Sequence, residues 1–143
     1  MGAVSDLVVT VPKDLWADWI DEGDAVGEPE TGEEWGFFLS GPRPDIRPGE
    51  RLYIVAWGLV RGYAPVTAVE RIDGQWAIGR RGGAVAVTID EQAQGFRGWR
   101  RRWWRTEQER PFPDWKTAGL PARMRRDVEQ NDMRHEAALG EFG

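Results

Sequence analysis

Short segments with the alternating pattern of β-strands follow one another through the middle of the chain and restrict it to a β-rich fold. Residues 51–56 alternate between two faces, and residues 59–70 return after a turn at Gly58. Asp73-Gly74 is a pair typical of a two-residue hairpin turn. Strands at this spacing predict a small curved sheet or barrel. Further strands are predicted at residues 7–11, 35–40, 76–80, 84–89 and within 96–105.

Glycine and proline positions add detail to these strands. Gly62 and Pro65 interrupt the longest predicted strand and indicate a bulge or a barrel corner. Residues 81–83 separate the strands at 76–80 and 84–89, and they predict a second hairpin. The second arm of that hairpin is small and β-branched, so we expect it to be buried.

Helical periodicity is confined to two places. Residues 13–22 follow a proline, carry apolar side chains on one face and end at Gly23. Residues 120–139 have weaker periodicity and many charges, which indicates a poorly anchored C-terminal helix. We therefore expect an α+β fold with two parts: a small mixed β-barrel over residues 1–120, with a helix after its first strand, and a helical tail over residues 121–143.

The net charge of −5 is distributed unevenly. Residues 1–50 hold nine more acidic than basic residues, whereas residues 51–110 hold five more basic than acidic ones. An acidic protein repels a polyanion at long range, but a basic region can hold one locally. The charge pattern therefore favours a pocket over a surface that coats a duplex.

Several classes of site are disfavoured by composition. The chain has no cysteine, which excludes a disulfide framework, a thiolate metal site and a cysteine nucleophile. No apolar run approaches the length of a membrane span, and no signal peptide opens the sequence. We expect a cytoplasmic protein with no membrane partner.

Residues 96–105 read Phe-Arg-Gly-Trp-Arg-Arg-Arg-Trp-Trp-Arg, so three tryptophans alternate with five arginines. An indole offers a flat apolar face, and a guanidinium offers a permanent charge with a planar set of donors. Together they suit a nucleobase on its phosphate backbone. The alternative is a half-buried strand whose tryptophans are core and whose arginines face water.

Two consecutive strand-like segments carry a family resemblance. Residues 47–55, Arg-Pro-Gly-Glu-Arg-Leu-Tyr-Ile-Val, and residues 58–66, Gly-Leu-Val-Arg-Gly-Tyr-Ala-Pro-Val, resemble a strand pair of the PUA-like superfamily, which includes the ASCH, EVE and YTH domains. The resemblance covers residues 5 to about 116. It implies a PUA-like barrel that recognises RNA or modified nucleobases in a cleft beside its first helix.

A caged base needs two or three aromatic walls and a few polar groups at its edge. Aromatic residues at strand ends or beside glycines can reach such a cleft, and arginines near them can contact phosphate. We therefore predict non-catalytic binding of a modified or unmodified nucleobase in RNA or DNA. The predicted binding residues are Trp35, Trp57, Trp76, Arg80, Arg81, Trp99, Arg101 and Trp104.

Two alternatives remain open at this stage. Some ASCH proteins are similar to amidohydrolases that need a Gly-x-Lys-x-x-Glu stretch, but residues 23–28 contain no lysine, and His135, the single histidine, lies in the predicted tail.

The acidic residues at 24–34 match no calcium loop, and we expect no metal and no cofactor. The other alternative is a protein-interaction module of the same fold, because Trp and Arg are enriched at interface hot spots.

Overall fold

The computed structural model describes residues 6–15, 34–81 and 84–126, in which eight strands form a six-stranded and a two-stranded sheet. The strands are β1 (Leu7–Thr10), β2 (Glu34–Leu39), β3 (Arg51–Ala56), β4 (Leu59–Ile72), β5 (Gln75–Arg81), β6 (Val87–Thr88), β7 (Trp99–Arg101) and β8 (Arg110–Pro111). Two 3₁₀ turns, Lys13–Leu15 and Thr106–Gln108, and a short helix α1 over residues 122–126 are the described helical elements.

The main sheet has the strand order β2-β5-β4-β3-β1-β7. β1 and β3 are parallel, with Thr10 opposite Val55, whereas the other neighbouring pairs are antiparallel. The C-terminal ends of β1 and β3 therefore lie side by side. This register brings the residues after β1 next to the turn at Trp57, and it positions the cleft described below.

The strand β4 bends at two irregularities. Arg61 is the extra residue opposite Ile54 and Val55, and Thr67 is a second extra residue further along. Each extra residue bends its strand and increases the local twist. The bulge predicted at Gly62 is thus confirmed beside Arg61. With these bends the sheet curves, and residues from both of its edges, β2 and the segment before β7, line the same cleft.

The main sheet is covered on both faces. Leu7 and Val9 face one cluster of buried apolar side chains, and Val8 faces a second cluster with Tyr53 and Val55. Residues 7–9 are fully buried, as expected for an interior strand with apolar residues on both sides. Each such side chain contributes about 1.5–3 kcal/mol on burial.

The predicted α+β barrel is wrong. The described residues form a strand-dominated, open sheet, because β2 pairs only with β5 and β7 only with β1. Barrel closure needs the two edge strands to bond each other at a matched stagger. Here β7 is three residues long, and a cleft separates it from β2.

The helix predicted after the first strand is not seen in the described residues. Only a 3₁₀ turn is present at Lys13–Leu15, and residues 16–22 lie outside the described ranges. The C-terminal helix is present as α1, and residues 127–139 also lie outside. Most of the acidic segment at residues 24–34 and the single histidine, His135, also lie outside the described ranges.

The predicted hairpin around residues 81–83 is also wrong. Residues 84–89 do not pair with β5, because β5 already bonds β2 on one side and β4 on the other. They bridge instead from Val85 to Tyr63, and β6 pairs with β8. By contrast, the strand at 51–56 and the Asp73-Gly74 turn are confirmed.

Candidate functional site

A cleft with two chambers opens where β1 ends. Its larger chamber has a volume of about 480 Å³, and its smaller chamber about 290 Å³. Thr10, Val11, Pro12 and Phe96 line both chambers, so the two share one wall. We call this feature the β1 cleft. Its combined volume lies in the range of pockets that hold small organic ligands.

The larger chamber is mainly apolar and lies between the two edges of the sheet. Residues 36–39 of β2 form one side, and Phe96, Arg97 and Gly98 form the other. Leu15 and Phe38 stand at this chamber with half of their surface exposed, 50% and 52%. Exposed apolar side chains in a concave site are available to a ligand without any rearrangement of the core.

The smaller chamber is built around Trp57. Lys13, Val55 and Gly58 complete this wall, and the Lys13 Nζ lies 5.0 Å from the centre of the Trp57 ring. The indole N–H of Trp57 is buried and has no acceptor in the described part of the chain. This chamber therefore combines an aromatic ring with a positive charge, which suits an anionic aromatic ligand.

The backbone that presents Trp57 is unusual for a tryptophan. Trp57 and Gly58 have φ of 51° and 75°, and Asp73 and Gly74, in the turn between β4 and β5, have nearly the same values, 50° and 78°. Turns with two left-handed residues prefer Asn, Asp or Gly at the first position, as the second turn has. A bulky residue there costs about 1–2 kcal/mol. Such strain is typical of functional positions, and it points to a role for the Trp57 ring.

Three cations at or near the β1 cleft make no ion pair with an acidic residue among the described residues. Lys13 lies in the smaller chamber, Arg97 lines the larger one, and the Arg100 guanidinium lies 4.4 Å above the Phe96 ring. The neighbouring Arg101, by contrast, forms an ion pair with Asp45. Within the described residues, no carboxylate therefore competes with an external anion for these three cations.

Phe96 is itself held in place from two sides. Its backbone N–H donates a 3.1 Å hydrogen bond to Thr10 Oγ1, and its ring meets the edge of Trp103 at 6.5 Å. The shared wall of the two chambers is therefore fixed to the end of β1. Since the Thr10 hydroxyl accepts this bond through its oxygen, its own proton remains able to donate to another acceptor.

Of the predicted binding residues whose side chains the structure describes, only Trp57 lines the β1 cleft. Trp99 begins β7 and is half-buried against the core, while Arg101 forms an exposed ion pair with Asp45. The Trp76 ring has two guanidinium groups near it, those of Arg43 and Arg71, at 5.7 and 5.6 Å from its centre.

The remaining predicted residues also lie elsewhere. Arg80 is buried, and burial lowers the pKa of its guanidinium to about 10. Trp35 and Arg81 occupy β2 and β5, but their side chains lie outside the described part of the structure. The six predicted residues whose side chains the structure describes do not converge on one cleft.

Trp104 belongs to the core rather than to a ligand site. Its ring is 5% exposed and meets Tyr53 edge-on at 5.1 Å. Its indole N–H donates a 2.8 Å hydrogen bond to Glu109, and the Tyr53 hydroxyl donates one of 2.5 Å to the same oxygen. Burial and the Glu109 carboxylate raise the pKa of Tyr53 above its ordinary value. A ring enclosed in this way cannot stack on a base.

Sequence reasoning missed most of the residues that line the cleft. Phe96 and Arg97 lie inside the stretch 96–105, but the prediction selected Trp99, Arg101 and Trp104 from it. Thr10 and Lys13 belong to no sequence motif that marks a binding site. A parallel pairing of β1 with β3 would have identified them, since ligands bind beyond the carboxyl ends of parallel strands.

Known proteins offer no assignment for this site. No protein-family model, curated protein or solved structure matches the chain. Across the residues that the structure describes, no cluster of three or more metal-ligating side chains occurs. None of the described helices is long and apolar enough to cross a membrane.

Proposed function

We propose that the protein binds a nucleobase of RNA or DNA, modified or unmodified, in the β1 cleft, without catalysing a reaction on it. The observation that carries this proposal is the arrangement around Phe96. Two aromatic walls, Phe96 and Trp57, adjoin three cations that lack acidic partners in the described chain: Lys13, Arg97 and Arg100.

The chemistry of such a ligand matches the cleft on two counts. A base stacked on an aromatic side chain contributes about 1–3 kcal/mol, and any base can make this contact. The cations then hold phosphate, and guanidinium groups can do so with two parallel hydrogen bonds. The resemblance of residues 47–66 to nucleobase-binding proteins is consistent with this role.

The side chains of the cleft favour binding over catalysis. The described residues that line the two chambers include no carboxylate, histidine or cysteine. Thr10 and Lys13 are the remaining groups that can exchange a proton, and the Thr10 oxygen already accepts the Phe96 N–H. A cleft with this lining holds and orients a ligand. We assign this binding to the cytoplasm on the sequence grounds given above.

A protein-binding role is the second candidate, and exposed apolar side chains favour it. Leu15 and Phe38 are half exposed at the cleft, and Trp103 is 45% exposed. Salt distinguishes the two roles. Each phosphate contact to a single strand steepens the fall of log K with log salt by about 0.7, whereas an apolar protein interface responds weakly.

Fluorescence anisotropy with labelled single-stranded RNA and DNA tests the proposal. We expect Arg97→Gln and Arg100→Gln each to weaken binding and to reduce the salt slope by about 0.7. Arg110→Gln is the matched control, because Arg110 is exposed and paired with Asp90. Binding that is unaffected in the two cleft variants, or equally weakened in the control, would refute the assignment.

A further inference from the structure

The two chambers of the β1 cleft meet at a single aromatic side chain. Phe96 contributes to both, and beyond the shared residues each chamber has aromatic walls of its own. The larger one has Phe37 and Phe38, and the smaller one has Trp57. A single base in one chamber leaves the aromatic wall of the other in contact with water.

From this geometry we infer that the ligand is a single strand that places two consecutive bases in the cleft, one in each chamber, with Phe96 between them. This inference rests on the proposed function and specifies its ligand as a dinucleotide unit. The cations fit such an occupant. Arg97 and Arg100 lie at Phe96, where the phosphate that links the two nucleotides would pass.

The paired bases of a duplex do not fit this arrangement. Both chambers lie within a concave site, and stacking on Phe96, Phe38 or Trp57 needs base faces that a duplex keeps covered by their neighbours. An extended single strand exposes both faces of each base, so it can place one base against Phe38 in the larger chamber and the next against Trp57 in the smaller one. The inferred occupant is therefore single-stranded over at least two nucleotides.

Calorimetric titration of the full chain with three ligands tests the inference. They are a mononucleotide, a dinucleoside monophosphate, and a dinucleotide analogue that has the same backbone but lacks one base. A second stacked base should tighten binding by roughly 5- to 150-fold. The dinucleoside monophosphate carries less negative charge than the mononucleotide, so tighter binding cannot arise from charge. We expect the abasic analogue to bind like the mononucleotide.

Variants of each chamber locate the two bases. Phe38→Ser changes an exposed residue of the larger chamber, and Trp57→Leu changes the smaller one. Each should remove most of the additional affinity of the dinucleotide, so that the ratio of the dinucleotide affinity to the mononucleotide affinity falls toward one. If Trp57→Leu does not fold, as judged by its melting curve, Phe38→Ser and the abasic analogue test the two-base arrangement without it.

The outcomes separate the two proposals. Equal affinity for mononucleotide and dinucleotide, with binding present, would overturn the two-base inference and leave the proposed function intact. The same holds if the abasic analogue binds as tightly as the full dinucleotide. Absence of binding for every nucleotide would overturn the proposed function, and this inference with it.

Discussion

Replacing Glu109 with alanine should destabilise the protein more than the same replacement of Glu107, the other acidic residue at 105–109. One carboxylate oxygen of Glu109 accepts hydrogen bonds from the Tyr53 hydroxyl at 2.5 Å and the Trp104 indole N–H at 2.8 Å. The Tyr53 residue is 0% exposed and Trp104 is 5% exposed. Without Glu109, both donors remain in the core with their acceptor removed.

The expected loss follows from these two donors. A buried donor that loses its partner costs about 1–3 kcal/mol, so two cost about 2–6 kcal/mol. The Glu109 side chain is 8% exposed, so water can enter and recover a part of this. We therefore expect about 3 kcal/mol. With roughly 2.1 cal/mol/K of unfolding entropy per residue over 143 residues, this lowers Tm by about 10 °C.

Urea unfolding followed by tryptophan fluorescence measures this quantity directly. Glu107→Ala is the matched control, since Glu107 is exposed two residues earlier on the same 3₁₀ turn, and it should stay within about 0.5 kcal/mol of the wild type. A Tyr53→Phe/Glu109→Ala cycle isolates the coupling between the two partners. A Glu109→Ala protein within about 1 kcal/mol of the wild type would refute the reasoning, because Trp104 would then not depend on the carboxylate.

Two further predictions concern buried polar groups. The chain has two tyrosines, so in a Tyr63→Phe protein any phenolate absorbance comes from Tyr53. We expect this absorbance to appear on raising the pH only together with the loss of circular dichroism that marks unfolding. The raised pKa of Tyr53 means that the folded state keeps a proton that the unfolded chain releases above about pH 10, so stability falls as pH rises there; a phenolate signal near pH 10 from folded protein would contradict this. Arg61→Ala should cost about 3 kcal/mol or more by chemical denaturation, because Arg61 donates hydrogen bonds to the carbonyls of Ala56 and Trp115 at 2.9 and 3.0 Å. A loss below about 1 kcal/mol would show that these bonds contribute little.

Local pattern was sufficient for individual strands and turns. The alternation of residues 51–56 and the Asp73-Gly74 pair predicted β3 and the β4–β5 turn correctly. It failed for residues 84–89, whose composition favours a strand but whose expected partner β5 already has neighbours on both sides. Pairing is a property of the whole sheet, so a correct strand propensity does not identify the partner.

The same limit applied to the site. The stretch 96–105 is unusual in composition, but its members have different environments: Phe96 lines the cleft, Arg101 pairs with Asp45, and Trp104 is buried against Tyr53. Burial depends on side chains far away in the sequence. No periodicity within ten residues distinguishes a ring that meets Tyr53 from one that faces solvent.

By itself, the amino-acid sequence determined where the chain can extend and where it must turn, because those preferences come from each residue and its immediate neighbours. Only the tertiary structure decided that β1 lies parallel to β3, that Trp57 therefore stands beside Thr10 and Lys13, and that the sheet leaves a cleft between its edges. The physical reason is that hydrogen bonding between strands and the exclusion of water join residues distant along the chain, and these contacts select which aromatic rings remain accessible to a ligand.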